Sequence, residues 1–503
     1  KISADTDLSS VIYATDTIIP VSNQVIGALK DTKQDVASIL EQVKKDKQGI
    51  QTDLVLQYTS KFESAKRALY LTRLLHGYAR TLGNSANKVI PMKELSGSLM
   101  ELASPIIQLL QSTLDDSTKT IVCSLSTEYI AALCSMPMGD QHVKASKHIL
   151  ATFWFIYSLM HNIGDVVSIE LLSNTFVSWI KNSSREQFDL VIIGFVEQAE
   201  EQAANRDSIE KEKHHLIFIQ LLSLLFSAST EYQKAKLKRH IPVFIIKITL
   251  IAGKINSLKF LQMMLSLLDQ LTVDESYRLS SFDLSLVLSC LIQVARPDVQ
   301  KLKSQINRQF AHDLFTDICH ILSNLMRHYK EQMTDVMPPF IGITQSLLHC
   351  FKSGHVHLVS GLNAKKHNVD SKNTPRTITL LSDFAPLNDT AAQQYSRLLK
   401  TITQKQHSYI AGKTNRSSQS VMKAISKHTP SVLVEYFTIQ SNSTMSILQP
   451  SIKSALINAL YEILDLCSDD DRSFIMTCLD APGKLLFKEF YSNWKTNHKY
   501  SGQ

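Results

Sequence analysis

Apolar residues along this chain step by three and four, the spacing of one face of an α-helix. Leu54, Tyr58, Phe62, Ala65 and Leu69 form one such stripe, and Leu99, Leu102, Ile106 and Leu110 a second. Leu258, Leu261, Leu265 and Leu268 form a third; Leu314, Ile318, Ile321 and Leu325 form a fourth. Each stripe needs a partner helix to cover it. The stretches 153–159 and 241–251 are apolar on a second face as well, which predicts helices held between neighbours on both sides. Turn residues are scarce to match. Glycine (15) and proline (13) together fill under 6% of the 503 positions, against a usual share of about 12%. Sandwiches, propellers and glycine-dependent nucleotide folds use those residues at every corner, so the shortage argues for long helices joined by polar turns. Pro91, Pro105, Pro137, Pro242, Pro297, Pro338 and Pro339 fall where stripes begin or end, as first-turn positions and breaks should.

The length suits about three domains or one extended array. Neither a tetratricopeptide nor an ankyrin consensus repeats along it, which leaves irregular pairs of about 40 residues, whose signature is weak. The expected class is all-α: an irregular α-solenoid of stacked helical pairs, HEAT- or armadillo-like, over 1–284, with a helical C-terminal domain over 285–503. Strand-like pieces such as 434–439 are short and isolated, so no substantial sheet is expected. The segment 354–377 is rich in Gly, Asn, Ser and Lys and reads as a long polar loop.

Seven cysteines stand singly, in neither a disulfide framework nor a zinc-ribbon spacing, and suit a reducing interior. Four glycosylation sequons, at Asn182, Asn388, Asn415 and Asn442, accompany no secretory signal and are read as chance. The most apolar run, Leu216 to Ala228, is 13 residues long and holds Gln220, Ser223 and Ser227. A membrane span needs about 20, so this run is expected to be a buried helix and no membrane association is expected. The chain opens on Lys1 rather than methionine, and an N-terminal part is expected to lie beyond it.

The net charge of +7 is unevenly placed. Between Lys352 and Lys427 stand Lys352, Lys365, Lys366, Lys372, Arg376, Arg397, Lys400, Lys405, Lys413, Arg416, Lys423 and Lys427 against Asp370, Asp383 and Asp389. That window carries +9 and leaves the remainder slightly acidic. Such clustering attracts phosphate backbones through counterion release; its plainer reading is a solvated basic surface. The expected contact residues for RNA or an acidic partner are Lys365, Lys366, Lys372, Arg376, Arg397, Lys400, Lys405, Lys413 and Arg416.

Signals for bond chemistry fail on inspection. Gly412-Lys413-Thr414 resembles the end of a phosphate-binding loop, but the position that needs its leading glycine is His407 and no apolar strand precedes it. Cys350, His355 and His357 lack a fourth zinc ligand at suitable spacing. His312, His320 and His328 recur at eight-residue steps and read as satisfied or solvent-facing side chains on one helix. Hydrolase, metalloprotease, dinucleotide and kinase signatures do not occur. Asp469-Asp470-Asp471 behind Ser468 reads as a capped helix start, with carboxylates at the positive end of the dipole, and Asp480-Ala481-Pro482 as another. No metal, cofactor or catalytic residue is expected.

The last segment carries a more specific pattern. Leu460-Tyr461-Glu462-Ile463-Leu464-Asp465-Leu466-Cys467-Ser468 is followed by Leu479-Asp480, then Gly483-Lys484-Leu485-Leu486-Phe487-Lys488-Glu489-Phe490-Tyr491, then Lys499-Tyr500-Ser501-Gly502. The order and spacing of these blocks resemble the C-terminal domain of the family called unhealthy ribosome biogenesis protein two. Lys427-His428-Thr429-Pro430, Leu433-Val434-Glu435-Tyr436 and Tyr395-Ser396-Arg397-Leu398-Leu399 resemble further family segments. The likeness is specific over about 390–503 and looser back towards 285. The motif residues Leu460, Asp465, Leu466, Cys467, Leu479, Gly483, Phe487, Tyr491, Lys499, Tyr500 and Gly502 are expected to be structural. Leu456, Ala459 and Ile463, then Phe474 and Leu479, then Leu486, Phe490 and Trp494 are expected to pack as three helix faces, with Gly483 allowing close helix contact.

The resemblance implies a non-enzymatic helical scaffold of the nucleolus, acting in early large-subunit assembly and pre-ribosomal RNA processing. It also implies partners: pre-ribosomal RNA or the pre-ribosomal particle, a large helical-repeat protein (nucleolar pre-ribosomal-associated protein one) and a DEAD-box RNA helicase. Family members are longer, so the chain corresponds to their C-terminal part, a short member or a fragment. The rival reading is a helical-repeat nuclear transport or adaptor protein, since fold does not fix function.

Overall fold

Three of the four apolar stripes named above each lie on one helix, and the fourth, Leu99 to Leu110, crosses a break between two. The computed structural model describes residues 8–45, 52–82, 90–112, 116–136, 145–201, 208–252, 257–295, 307–354, 385–404, 415–443 and 445–498. Among the described residues the chain is all-α apart from one two-residue antiparallel pair, β1 (Ser353–Gly354) with β2 (Met445–Ser446). Contacts divide it into two units, residues 1–207 with 220–233 and residues 208–219 with 234–503.

The first unit begins with α1 (Leu8–Lys45), α2 (Thr52–Leu82), α3 (Met92–Glu101) and α4 (Ala103–Gln111). It continues with α5 (Asp116–Cys134), α6 (Ala145–Ile163), α7 (Val166–Asn182) and α8 (Arg185–Glu201). α1, α2, α5 and α7 lie side by side in that order, while α3 and α4 cover α1, and α6 packs on α5, α7 and α8. The break between α3 and α4 has a local cause. Pro105 has no N–H to offer the Glu101 carbonyl, so the helix restarts at Leu102. Leu99, Leu102, Ile106 and Leu110 nevertheless stay buried on one face across the break. Phe153 packs on Phe176 with ring centres 5.1 Å apart, and Trp154 on Phe195 at 5.4 Å. Gly194 lets α8 approach α6 so closely that a Cβ there would stand 2.6 Å from a Leu150 methyl.

After α9 (Ser208–Ala228) and α10 (Glu231–Leu237), the chain forms α11 (Ile241–Ala252), α12 (Leu258–Val273), α13 (Ser281–Ala295) and α14 (Arg308–His328). A single turn, α15 (Lys330–Met333), precedes α16 (Met337–Leu348), α17 (Asp389–Thr403), α18 (Asn415–Ser426), α19 (Pro430–Ser441) and α20 (Pro450–Asp465). α21 (Asp469–Cys478) and α22 (Ala481–Asn493) close the unit, followed by a π-helical turn, Trp494–His498. In the second unit, α11, α13, α16, α19 and α22 neighbour one another in sequence, and so do α12, α14, α17 and α20. Successive helical pairs thus place one member in each of two layers, which is the stacking of an α-solenoid.

Two expectations need correction. Residues 434–439, which read as strand-like, lie inside α19, where Val432, Leu433, Tyr436 and Phe437 point inward at helical spacing. The second apolar face of α11 is not enclosed: Val243, Ile246 and Leu250 are exposed. α11 is the first helix of its layer in the second unit and has a within-layer neighbour there on one side, α13. The apolar run 216–228 is the buried part of α9, with Leu221, Leu222 and Leu225 fully enclosed. Among the described residues no helix is long and apolar enough to cross a membrane.

Candidate functional site

The C-terminal motif assembles on α19 to α22. α20 starts at Pro450 and buries Leu456, Ala459, Leu460 and Ile463 along one face. Ser468 then caps α21 through a capping box, its hydroxyl accepting from the Asp471 amide while the Asp471 carboxylate accepts from the Ser468 amide. The acidic triplet is therefore a helix start. Asp480 caps α22 by accepting from the Gly483 amide at 2.8 Å. Cys467 is buried between these helices, and burial pushes its thiol up to about 12, with Asp471 adding to the shift. That is the opposite of what a nucleophilic thiol requires.

An aromatic cluster joins the helices. Phe437 of α19 meets Phe487 and Phe490 of α22 edge-on, with ring centres 5.4 and 5.2 Å apart. Tyr461 of α20 lies 4.6 Å from Phe490, and Tyr491 stacks on Trp494 at 5.4 Å. The Trp494 indole N–H donates to Asp465 at 2.9 Å, so the aspartate of the LDLCS block pins the far end of the segment. The Arg472 guanidinium lies 5.5 Å from the centre of Tyr491 and 5.4 Å from that of Trp494, while donating to Asp469. A cation over two rings, held by a carboxylate, ties α21 to α22.

Of the motif residues, Leu460, Cys467, Leu479, Gly483 and Phe487 are buried; Tyr491 and Leu466 are half-buried. Lys499, Tyr500 and Gly502 lie outside the described residues. Phe474 and Leu486, expected on packed faces, are 51% and 36% exposed. The capping box sets the phase of α21 so that the neighbouring Ile475 turns inward, and the cap at Asp480 does the same for Phe487 on α22. Gly483 also serves a different purpose from the expected helix contact. A Cβ there would stand 2.7 Å from the capping oxygen of Asp480. Gly483→Ala is expected to break the cap and cost about 1 kcal/mol, measurable as a lower urea midpoint. Arg472 and the Asp465–Trp494 pair carried no sequence signal beyond their residue types.

The basic window is only partly visible. Lys365, Lys366, Lys372, Arg376, Lys405 and Lys413 lie outside the described residues, and Arg416 sits on α18 without a described side chain. Arg397, Lys423 and Lys427 are exposed. Lys400 is committed internally, 3.1 Å from Glu462 of α20, whose other oxygen accepts from Thr403. Just behind α17, the buried Lys330 donates to the carbonyls of Thr401, Ile402 and Gln404. It therefore closes the last turn of the helix that leads into residues 405–414.

The three histidines at eight-residue spacing are hooks on α14. His312 meets Thr390, His320 meets Asp269, and His328 meets Glu275, at 2.8, 2.9 and 2.7 Å. Asp317 on the same helix is raised above the usual carboxylate range by burial and then by Asp313 and Asp269. A carboxyl with a raised folded-state pKa destabilises the fold once it ionises. Asp317→Asn is expected to stabilise the protein above that pKa and not below it. The gain should be about 0.2–0.5 kcal/mol, the size of a like-charged i,i+4 pair, and should shrink with added salt. Among the described residues no group of three or more His, Cys, Asp or Glu is placed to hold a metal.

Residues 262–503 match the sequence profile of the Urb2/Npa2 family. Over these residues the chain is similar to that family. The matched region begins within α12 and takes in both the basic window and the C-terminal cluster. A curated relative is the probable nucleolar pre-ribosomal-associated protein 2 of Schizosaccharomyces pombe (strain 972 / ATCC 24843), 22% identical over 188 residues. The alignment covers 36% of this chain and 13% of that protein, so the chain spans a small part of the length of that relative. Among solved structures, a "Circular tandem repeat protein with novel repeat topology and enhanced subunit contact surfaces" aligns over 96% of this chain and 100% of its own, at 12% identity. Its TM-score of 0.26 is too low to inform the fold of the Urb2/Npa2 region.

Proposed function

We propose that the chain acts in ribosome biogenesis as a nucleolar scaffold without catalytic activity, in early assembly of the large subunit and processing of its precursor RNA. The match of 262–503 to the Urb2/Npa2 family, with a relative named as nucleolar and pre-ribosomal-associated, carries this reading. The chemistry of the family motif supports it. Its described residues are spent on caps, ring contacts and burial, and the buried thiols Cys123 and Cys290 are pushed up to about 11, away from reactivity. On this reading residues 285–503 engage the pre-ribosomal particle, and a large helical-repeat nucleolar protein and a DEAD-box helicase are held on the same assembly.

The charge distribution favours direct contact with RNA through the +9 window. Arg397, Lys423 and Lys427 offer exposed cations, and Lys365, Lys366, Lys372, Arg376, Lys405, Lys413 and Arg416 complete the basic set. Ultraviolet crosslinking should recover pre-ribosomal RNA from peptides of 352–427. Reversing Arg397, Lys423 and Lys427 to glutamate should weaken that recovery and flatten its salt dependence by about one unit of slope per lost phosphate contact. Unchanged crosslinking and unchanged particle association after reversal would remove RNA contact from the proposal.

A further inference from the structure

The first unit carries a surface channel that the basic window and the family motif do not explain. α5 lies between α2 and α7 and is almost wholly buried, so it is recessed below both. From Val122 on it shows solvent only Ser124 and Glu128, which with Ser135 just past its end form the channel floor. Two hollows of about 470 and 270 Å³ open along it. The Arg73–Glu128 ion pair, 2.9 Å long, joins α2 to the floor between them.

Its rim is apolar where a soluble helix would ordinarily be polar. Tyr70 and Leu71 of α2, which line the first hollow, are 53% and 40% exposed, and Leu171 of α7, which lines the second, is 51% exposed; Leu74, one turn along α2 from Tyr70 and Leu71, is 53% exposed. Charge is distributed at the two ends. Lys66 is paired with Glu63 and Arg73 with Glu128. Arg67 has no carboxylate partner among the described residues, and Arg80 makes only a 3.5 Å contact to the Cys134 carbonyl. Both guanidiniums line the hollows, thirteen positions apart on α2, or about 20 Å at the helical rise. A three- to four-turn helix laid over α5 spans that distance, with apolar anchors at i, i+3 or i+4 and i+7 meeting Tyr70, Leu71, Leu74 and Leu171.

We propose that this channel is a docking site for an acidic amphipathic helix of a partner protein, with leucine-type anchors in the middle and carboxylates at each end facing Arg67 and Arg80. The four exposed apolar side chains favour such a helix over a nucleic-acid backbone, which would leave them uncovered. The uncompensated positive ends set the sign of the partner.

The test is a display selection of random helical 16-residue peptides against the full 503-residue chain, followed by fluorescence anisotropy with the most enriched peptide. Peptides with a leucine stripe and terminal Asp or Glu should be enriched. The winner should bind at least tenfold more weakly to Arg67→Glu/Arg80→Glu and to Leu74→Asp, and equally to the control Arg239→Glu on the second unit. These side chains are exposed, so the melting temperature should hold; should Arg80→Glu unfold, Arg67→Glu and Leu74→Asp give the same reading alone. Enrichment of basic or neutral peptides, or binding that survives in the variants, would overturn the proposal. So would a 20-nucleotide RNA, or a second copy of the chain seen by light scattering, that displaces the peptide and loses binding in the same variants.

Discussion

Replacing Phe437 with alanine is expected to cost the second unit about 3–5 kcal/mol, the range for deleting a buried phenylalanine. Phe437 is 3% exposed and touches Tyr436, Phe487 and Phe490 edge-on. Its removal strips contacts from α19 and α22 together and leaves a cavity ringed by aromatic side chains. The loss can be read in isolation. Trp154 and Trp179 belong to the first unit and Trp494 to the second, so in a Trp154→Phe/Trp179→Phe background Trp494 fluorescence reports the second unit alone. The urea midpoint should fall steeply. A shift under 1 kcal/mol would mean that the cluster does not hold these helices together.

Lys330→Met is expected to cost about 3 kcal/mol, because it leaves the carbonyls of Thr401, Ile402 and Gln404 buried without their donor. Lys330 is 3% exposed, and burial pushes its ammonium down to about 8 from an ordinary 10.5. It is thus still largely protonated at neutral pH, where it complements the negative end of α17. The depressed pKa fixes the sign of the pH dependence. Between about 8 and 10.5 the unfolded chain holds this proton and the folded chain releases it, so folding is favoured increasingly as pH rises through that window. The stability difference between wild type and Lys330→Met should therefore widen from pH 8 to pH 10.5. Tyrosines and cysteines that ionise on unfolding are common to both proteins and cancel. A difference that is flat, or narrows, contradicts a buried, charge-depressed lysine at this helix end.

The sequence showed the helices clearly because their evidence is local. Stripes such as Leu314, Ile318, Ile321 and Leu325, the Ser468 capping box and the Asp480–Pro482 start each depend on residues within one or two turns, and each appears where the spacing put it. Errors arose where a neighbour decides. Helical phase on a ten-residue helix hangs on its cap, which turned Ile475 inward and left Phe474 in solvent. The exposed face of α11 depends on its place in a layer, which spacing does not report. Long-range pairs were invisible for the same reason. Lys330 reaches carbonyls more than seventy residues away, and Arg472 gains its meaning from Tyr491 and Trp494. Charge clustering at Lys352–Lys427 was legible as a count, but the engagement of Lys400 with Glu462 needed α20 beside α17.

The scaffold reading is tested most directly by recovering the tagged chain from nuclear extract under mild salt and identifying what accompanies it. Precursor RNA and proteins of the early large ribosomal subunit should be enriched, and the enrichment should fall when Phe437→Ala weakens the family region. Recovery of transport cargoes or coat subunits, with no large-subunit precursor, would contradict it.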